Sequence, residues 1–210
     1  VHLGQAIRFR TISHADGSSD ADEFEALQEW IQETYPSFSL ATSAERFGPR
    51  DLTVVRSWPG ADPQLAPVLF IAHADVVPVE GGTESEWEWP PFSGQVAPCG
   101  DISGDCVWGR GTIDIKGSLV ATLEAAEGLA RSGWRPRRTL VFLNGQDEEA
   151  GGVGSRAAAE AYAKRGARFA WSLDEGLVTT VGIVPGISRP VALVGIAEKG
   201  YLSVELVARG

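Results

Sequence analysis

One histidine and several carboxylates stand directly after apolar, strand-like runs in this 210-residue chain. His73-Ala-Asp75 follows Val68 to Ala72, Asp147-Glu148-Glu149 follows Thr139 to Leu143, and Asp174-Glu175 follows Phe169 to Leu173. A fourth cluster, Gly109-Arg-Gly-Thr-Ile-Asp114-Ile-Lys-Gly117, opens a helical pattern. In an open α/β sheet the C-terminal ends of the strands form the crevice where ligands bind. Parallel strands would therefore bring the four clusters to one spot. Carboxylates gathered this way repel one another, and some must stay protonated unless a cation compensates them. Divalent cations remove the conflict. An imidazole with carboxylates suits zinc, with cobalt and manganese as alternatives. Two such ions ~3.5–4 Å apart need a shared carboxylate. A further carboxylate that does not ligate must take the proton from the attacking water.

Each of these residues also has a plainer reading. A histidine in an apolar strand end is commonly a buried, hydrogen-bonded core residue. Asp114 sits where an N-cap is expected. Glu148 and Glu149 lead into Gly151-Gly152 and would suit a solvated turn, and Asp174-Glu175 an ordinary strand end. Arg110 reads as a loop anchor, and Lys116 as a partner for a nearby carboxylate, because a first-turn lysine opposes the helix dipole. Trp87, Trp89 and Trp108 either pack a long loop or line a pocket. Gly109-Arg-Gly111 lacks the third glycine of a dinucleotide-binding fingerprint, since position 114 is Asp. His2 and His14 read as surface residues.

The elements that must position these groups follow from periodicity. Phe24, Leu27, Ile31 and Tyr35 recur at helical spacing after Ser19-Asp20, and Pro36 should end that helix. Ile115, Leu119, Leu123, Ala126 and Ala130 form a second apolar stripe, and Gly154 to Arg165 a third helix closed by Gly166. Asp51 to Trp58, Pro67 to Ala72, Thr139 to Leu143 and Phe169 to Leu173 read as strands. The second is a continuous apolar run, as for a strand covered on both faces. Residues 79–110 suggest an irregular loop with a hairpin, and two or three more strands fall between Leu177 and Ala208. Cys99 and Cys106 flank a turn, a spacing that suits a cross-hairpin disulfide and equally two thiols; alone they would leave a zinc ion two ligands short. Strands alternating with helices give an α/β layer fold.

Composition excludes several function classes. Apolar residues make up 43% and charged residues 22%, enough for a core. No apolar run approaches the ~18 residues of a membrane span. The net charge of −10 opposes binding to nucleic-acid phosphates, so neither nucleic acid nor membrane is expected as a partner. There is no Met, and the last ten residues alternate like a strand, so the chain reads as a portion of a longer protein. The compartment is left open between cytoplasm and secretion.

Taken in order, His73-Ala-Asp75, Trp89-Pro-Pro-Phe-Ser-Gly94, Trp108-Gly-Arg-Gly-Thr-Ile-Asp114-Ile-Lys-Gly117, Asp147-Glu148-Glu149 and Leu173-Asp174-Glu175-Gly176 resemble one family. It is that of the co-catalytic zinc exopeptidases and amidohydrolases, which includes carboxypeptidase S, aminoacylase, glutamate carboxypeptidase and succinyl-diaminopimelate desuccinylase. Leu-Asp-Glu-Gly is most similar to the carboxypeptidase S branch, which also holds secreted N-acyl-amino-acid hydrolases. The resemblance implies a three-layer zinc-exopeptidase-like domain with a mixed, mostly parallel sheet flanked by helices, incomplete at its C-terminus. It implies two zinc ions and hydrolysis of an amide bond, either the C-terminal bond of a short peptide or that of an N-acyl-amino acid. His73 would ligate the first metal, with Asp75 holding the other imidazole nitrogen. Asp114 would bridge both metals and precede a cis peptide bond. Glu148 would be the general base, Glu149 a ligand of the second metal, and Asp174 a ligand of the first, with Glu175 as its alternative.

The same resemblance marks what this sequence lacks. Relatives place a late histidine on the second metal and carry a lid domain, inserted after a segment like Glu198-Lys-Gly-Tyr201, through which homodimers form. The only other histidines here are His2 and His14. The expected division is residues 1–197 as the N-terminal part of the catalytic domain and 198–210 as the lead-in to a lid. Missing sheet strands should leave an open edge or exposed apolar surface. The reading from another class is a metal-binding portion without catalysis.

Overall fold

The computed structural model describes residues 1–100, 102–176, 179–197, 200 and 204–208. Two short helices not expected from the sequence occupy the first 41 residues beside the expected one. They are α1 (His2–Ile7) and α3 (Pro36–Ala41), on either side of α2 (Ala21–Thr34). Pro36 does end α2, but it also opens α3 from its first turn, where a missing N–H costs nothing. The strands β1 (Ser43–Phe47), β2 (Thr53–Trp58) and β3 (Val68–Ile71) follow. A hairpin of β4 (Gln95–Cys99) and β5 (Ile102–Trp108) comes next, with Cys99 and Cys106 joined as a disulfide across a Cα separation of 5.2 Å. Then come α4 (Gly117–Arg131), β6 (Leu140–Asn144), α5 (Val153–Lys164) and β7 (Trp171–Leu173).

The main sheet has the order β1-β2-β6-β3-β7. β3 lies parallel to both β6 and β7, with Phe70 opposite Phe142 and Leu173, whereas β2 runs antiparallel to both its neighbours, β1 and β6. Alternation along β6 sends Phe142 to one face and Val141 and Leu143 to the other. The first face buries Phe24, Leu27 and Ile31 of α2, Phe38 of α3, and Leu119, Leu123 and Ala126 of α4. The second packs Val55, Val141 and Leu143 against Ala158 of α5, with Tyr162 and Phe169 at its margin. Helices on both faces of a mixed sheet make three layers. Among the described residues β7 is the edge strand on that side, and its Trp171 and Leu173 are exposed.

The chain divides into two compact units, residues 1–174 and 175–210. The second contains the two-residue strands β8 (Thr179–Thr180) and β9 (Val191–Ala192), paired antiparallel. Leu177, and most of the expected lid segment (Glu198, Lys199 and Tyr201), lie outside the described residues.

Candidate metal centre

The three parallel strands decide where the polar clusters go. β3, β6 and β7 point their C-terminal ends the same way, so His73, the loop at 147–149 and Asp174 emerge at one edge of the sheet. Asp114 reaches that edge differently. Residues 112–116 form a turn with non-helical backbone at Asp114 (φ −114°, ψ 95°) and Ile115, and the Asp114–Ile115 peptide is cis. α4 starts only at Gly117, and no side chain caps it. The N-cap reading of Asp114 therefore fails. Its carboxylate instead lies 3.0 Å from His73 Nε2, and Ile115 belongs to the turn rather than to the helical stripe.

His73 is 3% exposed and has its two nitrogens divided between two tasks. Nε2 faces Asp114 Oδ1 at 3.0 Å and Glu148 Oε2 at 3.9 Å. Nδ1 lies 3.0 Å from the Asp75 carbonyl oxygen and 3.3 Å from Asp75 Oδ1. Asp75 is wholly buried. Its Oδ1 accepts the Glu148 N–H at 3.1 Å, and its Oδ2 accepts the Glu149 N–H at 3.1 Å and the Ser13 hydroxyl at 2.5 Å. Burial alone would raise the pKa of Asp75. The hydrogen bonds from His73 and Ser13, the His73 charge and the Glu148 N–H outweigh it and hold this carboxyl below its ordinary range.

Glu148 and Glu149 shift the other way. Burial raises both. The charges of Asp75, Asp114 and Asp174 push Glu148 further up, those of Asp114, Asp75 and Glu148 push Glu149 up, and His73 opposes both. Their loop is rigidly built. Gly151 and Gly152 take φ of +112° and +66°, a region open to glycine at little cost. Asp147 accepts the N–H groups of Val153 at 2.9 Å and Gly154 at 3.0 Å, so it caps α5 from outside the helix.

Donor atoms of His73, Asp114 and Glu149 lie within 4.8 Å of one another. One imidazole nitrogen and carboxylate oxygens at that spacing form a donor set suited to zinc. Burial first, and then the neighbouring carboxylates, disfavour charge on Glu148 and Glu149, and a cation at this spot would favour it. Asp174 is exposed at the end of β7 and close enough to raise Glu148. Glu175, its alternative, is exposed at the start of the second unit.

Lys116, His2 and His14 depart from their expected roles, whereas Arg110 and the tryptophans fall within theirs. Lys116 is fully buried, and its Nζ donates to the carbonyls of Ala6 at 3.1 Å and Phe9 at 2.7 Å rather than pairing with a carboxylate among the described residues. His2 is half-buried, contacts Glu124, and lies edge-on to Trp30 and Tyr35. His14 is half-buried. Arg110 stacks on Trp87 at 5.3 Å, beside a cleft of about 500 Å³ also lined by Trp89 and Trp108. The sequence does not single out Ser13, nor the capping role of Asp147. Asp147 stands within a quoted motif, but nothing local marks it as a cap for a helix six residues on. Nothing in the Thr11-Ile-Ser13 stretch marks its pairing with residues 74–76.

Comparison with known proteins gives these positions a family. The chain is 35% identical to a probable carboxypeptidase S-like protein of Dictyostelium discoideum, over 97% of this chain and 38% of the relative. It is 36% identical to an N-fatty-acyl-amino acid synthase/hydrolase of Xenopus tropicalis, again over 97% and 38%. With carboxypeptidase S of Saccharomyces cerevisiae it shares 34%, over 99% and 36%. The chain thus spans under two-fifths of the length of these relatives. A metallo-carboxypeptidase from Sulfolobus solfataricus superposes with a TM-score of 0.64 at 23% identity, over 84% of this chain and 36% of that one. Human carnosine dipeptidase 1 does so with a TM-score of 0.57 at 20% identity, over 78% and 35%. These two show the shared fold. The family pattern itself matches residues 69–205, the stretch that carries His73, Asp114, Glu149 and Asp174, and the chain belongs to peptidase family M20/M25/M40.

Proposed function

We propose that this chain carries the metal-binding and proton-transfer part of a hydrolase that cleaves amide bonds. The observation that carries the reading is the compact donor group of His73, Asp114 and Glu149, with the Glu148 carboxylate 3.9 Å from His73 Nε2. His73, Asp114 and Asp174 would hold one zinc ion, and Asp114 with Glu149 a second. The metals supply Lewis-acid chemistry, polarising the scissile carbonyl and lowering the pKa of water.

Everything else falls to side chains of this protein. Asp75 holds His73 by Nδ1 and leaves Nε2 for the metal. It also fixes the main chain of Glu148 and Glu149, and so the direction in which both carboxylates leave the loop. Glu148 accepts a proton from the attacking water at a carboxylate oxygen. The water oxygen bonds to the carbonyl carbon, the C–N bond breaks, and Glu148 returns the proton to the departing nitrogen. Its pKa, raised mainly by burial, suits a group that must take up a proton.

The substrate class follows the relatives: a short peptide cleaved at its C-terminal bond, or an N-acyl-amino acid. A second-metal histidine, a lid beyond residue 197 and a homodimer formed through it belong to the same proposal for the whole protein. Equilibrium dialysis with elemental analysis tests the core of it. One or two zinc ions per chain, lost in Asp114→Ala, are expected. A folded chain that binds no zinc overturns the metal centre. Zinc binding without turnover of dipeptides or N-acyl-amino acids would favour a metal-binding role for these residues over a hydrolytic one.

A further inference from the structure

Residues 11–13 run beside residues 74–76 as a strap along the metal centre. The Val76 N–H donates to the Thr11 carbonyl at 2.9 Å, the Ser13 N–H to the Val76 carbonyl at 3.2 Å, and Ile12 bridges Val76 in parallel. The Thr11 hydroxyl closes on the Ala74 carbonyl at 2.6 Å. The backbone of Ser13 is thus fixed without help from its side chain. The hydroxyl does something else: it donates to Asp75 Oδ2 at 2.5 Å, in a site where Ser13 is 3% exposed and Asp75 wholly buried.

A carboxylate has about four lone-pair positions on its two oxygens. Around Asp75 three of them meet hydrogen-bond donors, the N–H groups of Glu148 and Glu149 and the Ser13 hydroxyl, while His73 Nδ1, hydrogen-bonded to the Asp75 carbonyl oxygen, lies 3.3 Å from Oδ1. We propose that Ser13 is a positioning residue of the metal centre, completing the shell that keeps Asp75 in the one orientation that serves His73, Glu148 and Glu149 together. Without the hydroxyl, one lone pair of a buried anion is unsatisfied, and the carboxylate can recover a partner only by turning away from one of the other three. A metal ligand, the base and a second ligand then lose their common support. The inference rests on the metal-centre reading above.

The test is zinc affinity of the 210-residue chain by competition with a chromophoric chelator, for wild type, Ser13→Ala and Thr11→Val. Thr11 loses a buried hydroxyl from the same strap, but one aimed at a main-chain carbonyl. Loss of a partner behind a ligand typically weakens metal binding about 10- to 100-fold, and that is expected for Ser13→Ala. Thr11→Val should stay within about twofold of wild type, as for any change that leaves the Asp75 shell intact. Ser13→Cys, close in size but a far weaker donor, should fall with Ser13→Ala and carries the test if the alanine variant does not fold. Wild-type affinity in the Ser13 variants, or equal loss in the Thr11 variant, overturns the assignment while leaving the metal centre standing. Failure of the wild-type chain to bind zinc removes the metal centre itself, and this inference with it.

Discussion

At the scale of single residues, the arrangement separates holding from reacting. His73 presents Nε2 because Asp75 occupies the side of Nδ1. Glu148 and Glu149 are adjacent in sequence and both are tied through their main-chain N–H groups to Asp75, which leaves both carboxylates free to act. General bases typically contribute 10²–10⁴-fold to rate. Glu148→Gln should therefore lower turnover of a peptide or N-acyl-amino-acid substrate by about that factor, while zinc stoichiometry stays at the wild-type value. Full turnover in that variant would remove Glu148 from its role. His73, Asp75 and the Glu148-Glu149 pair were legible in the sequence because their types are rare together after apolar strands. The cis peptide expected after Asp114 is present, while the N-cap reading of Asp114 and the carboxylate pairing of Lys116 fail for one reason. Both were placed in a helix that starts only at Gly117, and the turn before it gives them different partners.

At the scale of elements, the loop from β6 to α5 carries Glu148 and Glu149 and is held at both ends. β6 lies between β2 and β3 in the sheet, and α5 is anchored by Asp147, which accepts from Val153 and Gly154 at the helix N-terminus. A carboxylate there satisfies N–H groups that have no partner within the helix and meets the positive end of its dipole. Asp147→Ala should destabilise the chain by about 1–2 kcal/mol, as for loss of a cap, read from urea unfolding in the presence of chelator. An unchanged midpoint would show that water replaces the cap. The same scale explains the misread helix at 36–41. Pro36 stops α2, and the tolerance of proline in a first helical turn allows α3 to begin at once.

At the scale of the whole molecule, the N-terminal segment is stitched to the centre rather than appended to it. Ser13 reaches Asp75, and Lys116 reaches back from the turn after Asp114 to the carbonyls of Ala6 and Phe9. Burial lowers the Lys116 pKa from 10.5 to about 7, with Glu23 and Asp75 opposing the shift. A neutral amine has two N–H groups, which matches its two carbonyl acceptors. Between pH 7 and 10.5 the unfolded chain then holds a proton that the folded chain lacks. Stability should rise with pH across that window and flatten below it. Urea unfolding without metal at pH 7, 8 and 9 should show the rise, and Lys116→Met should reduce its slope. An identical slope in both chains would mean that Lys116 stays charged when buried.

Much was written in the linear order of the residues. Apolar runs of four or five residues mark β3 and β6, a 3.6-residue stripe marks α2 and α4, and the groups at the strand ends point to a cation-binding crevice. These features are local, set by backbone periodicity and by the few side chains that can ligate a metal, so a sequence can display them. Other features depend on which distant segments meet. The parallel sense of β3, β6 and β7 turns three separate clusters into one edge. Ser13 finds Asp75 across 62 positions, and Lys116 finds Ala6 across 110. No pattern in either partner announces such a pairing, because a buried hydroxyl or ammonium is satisfied by whichever acceptor the packed layers deliver to it.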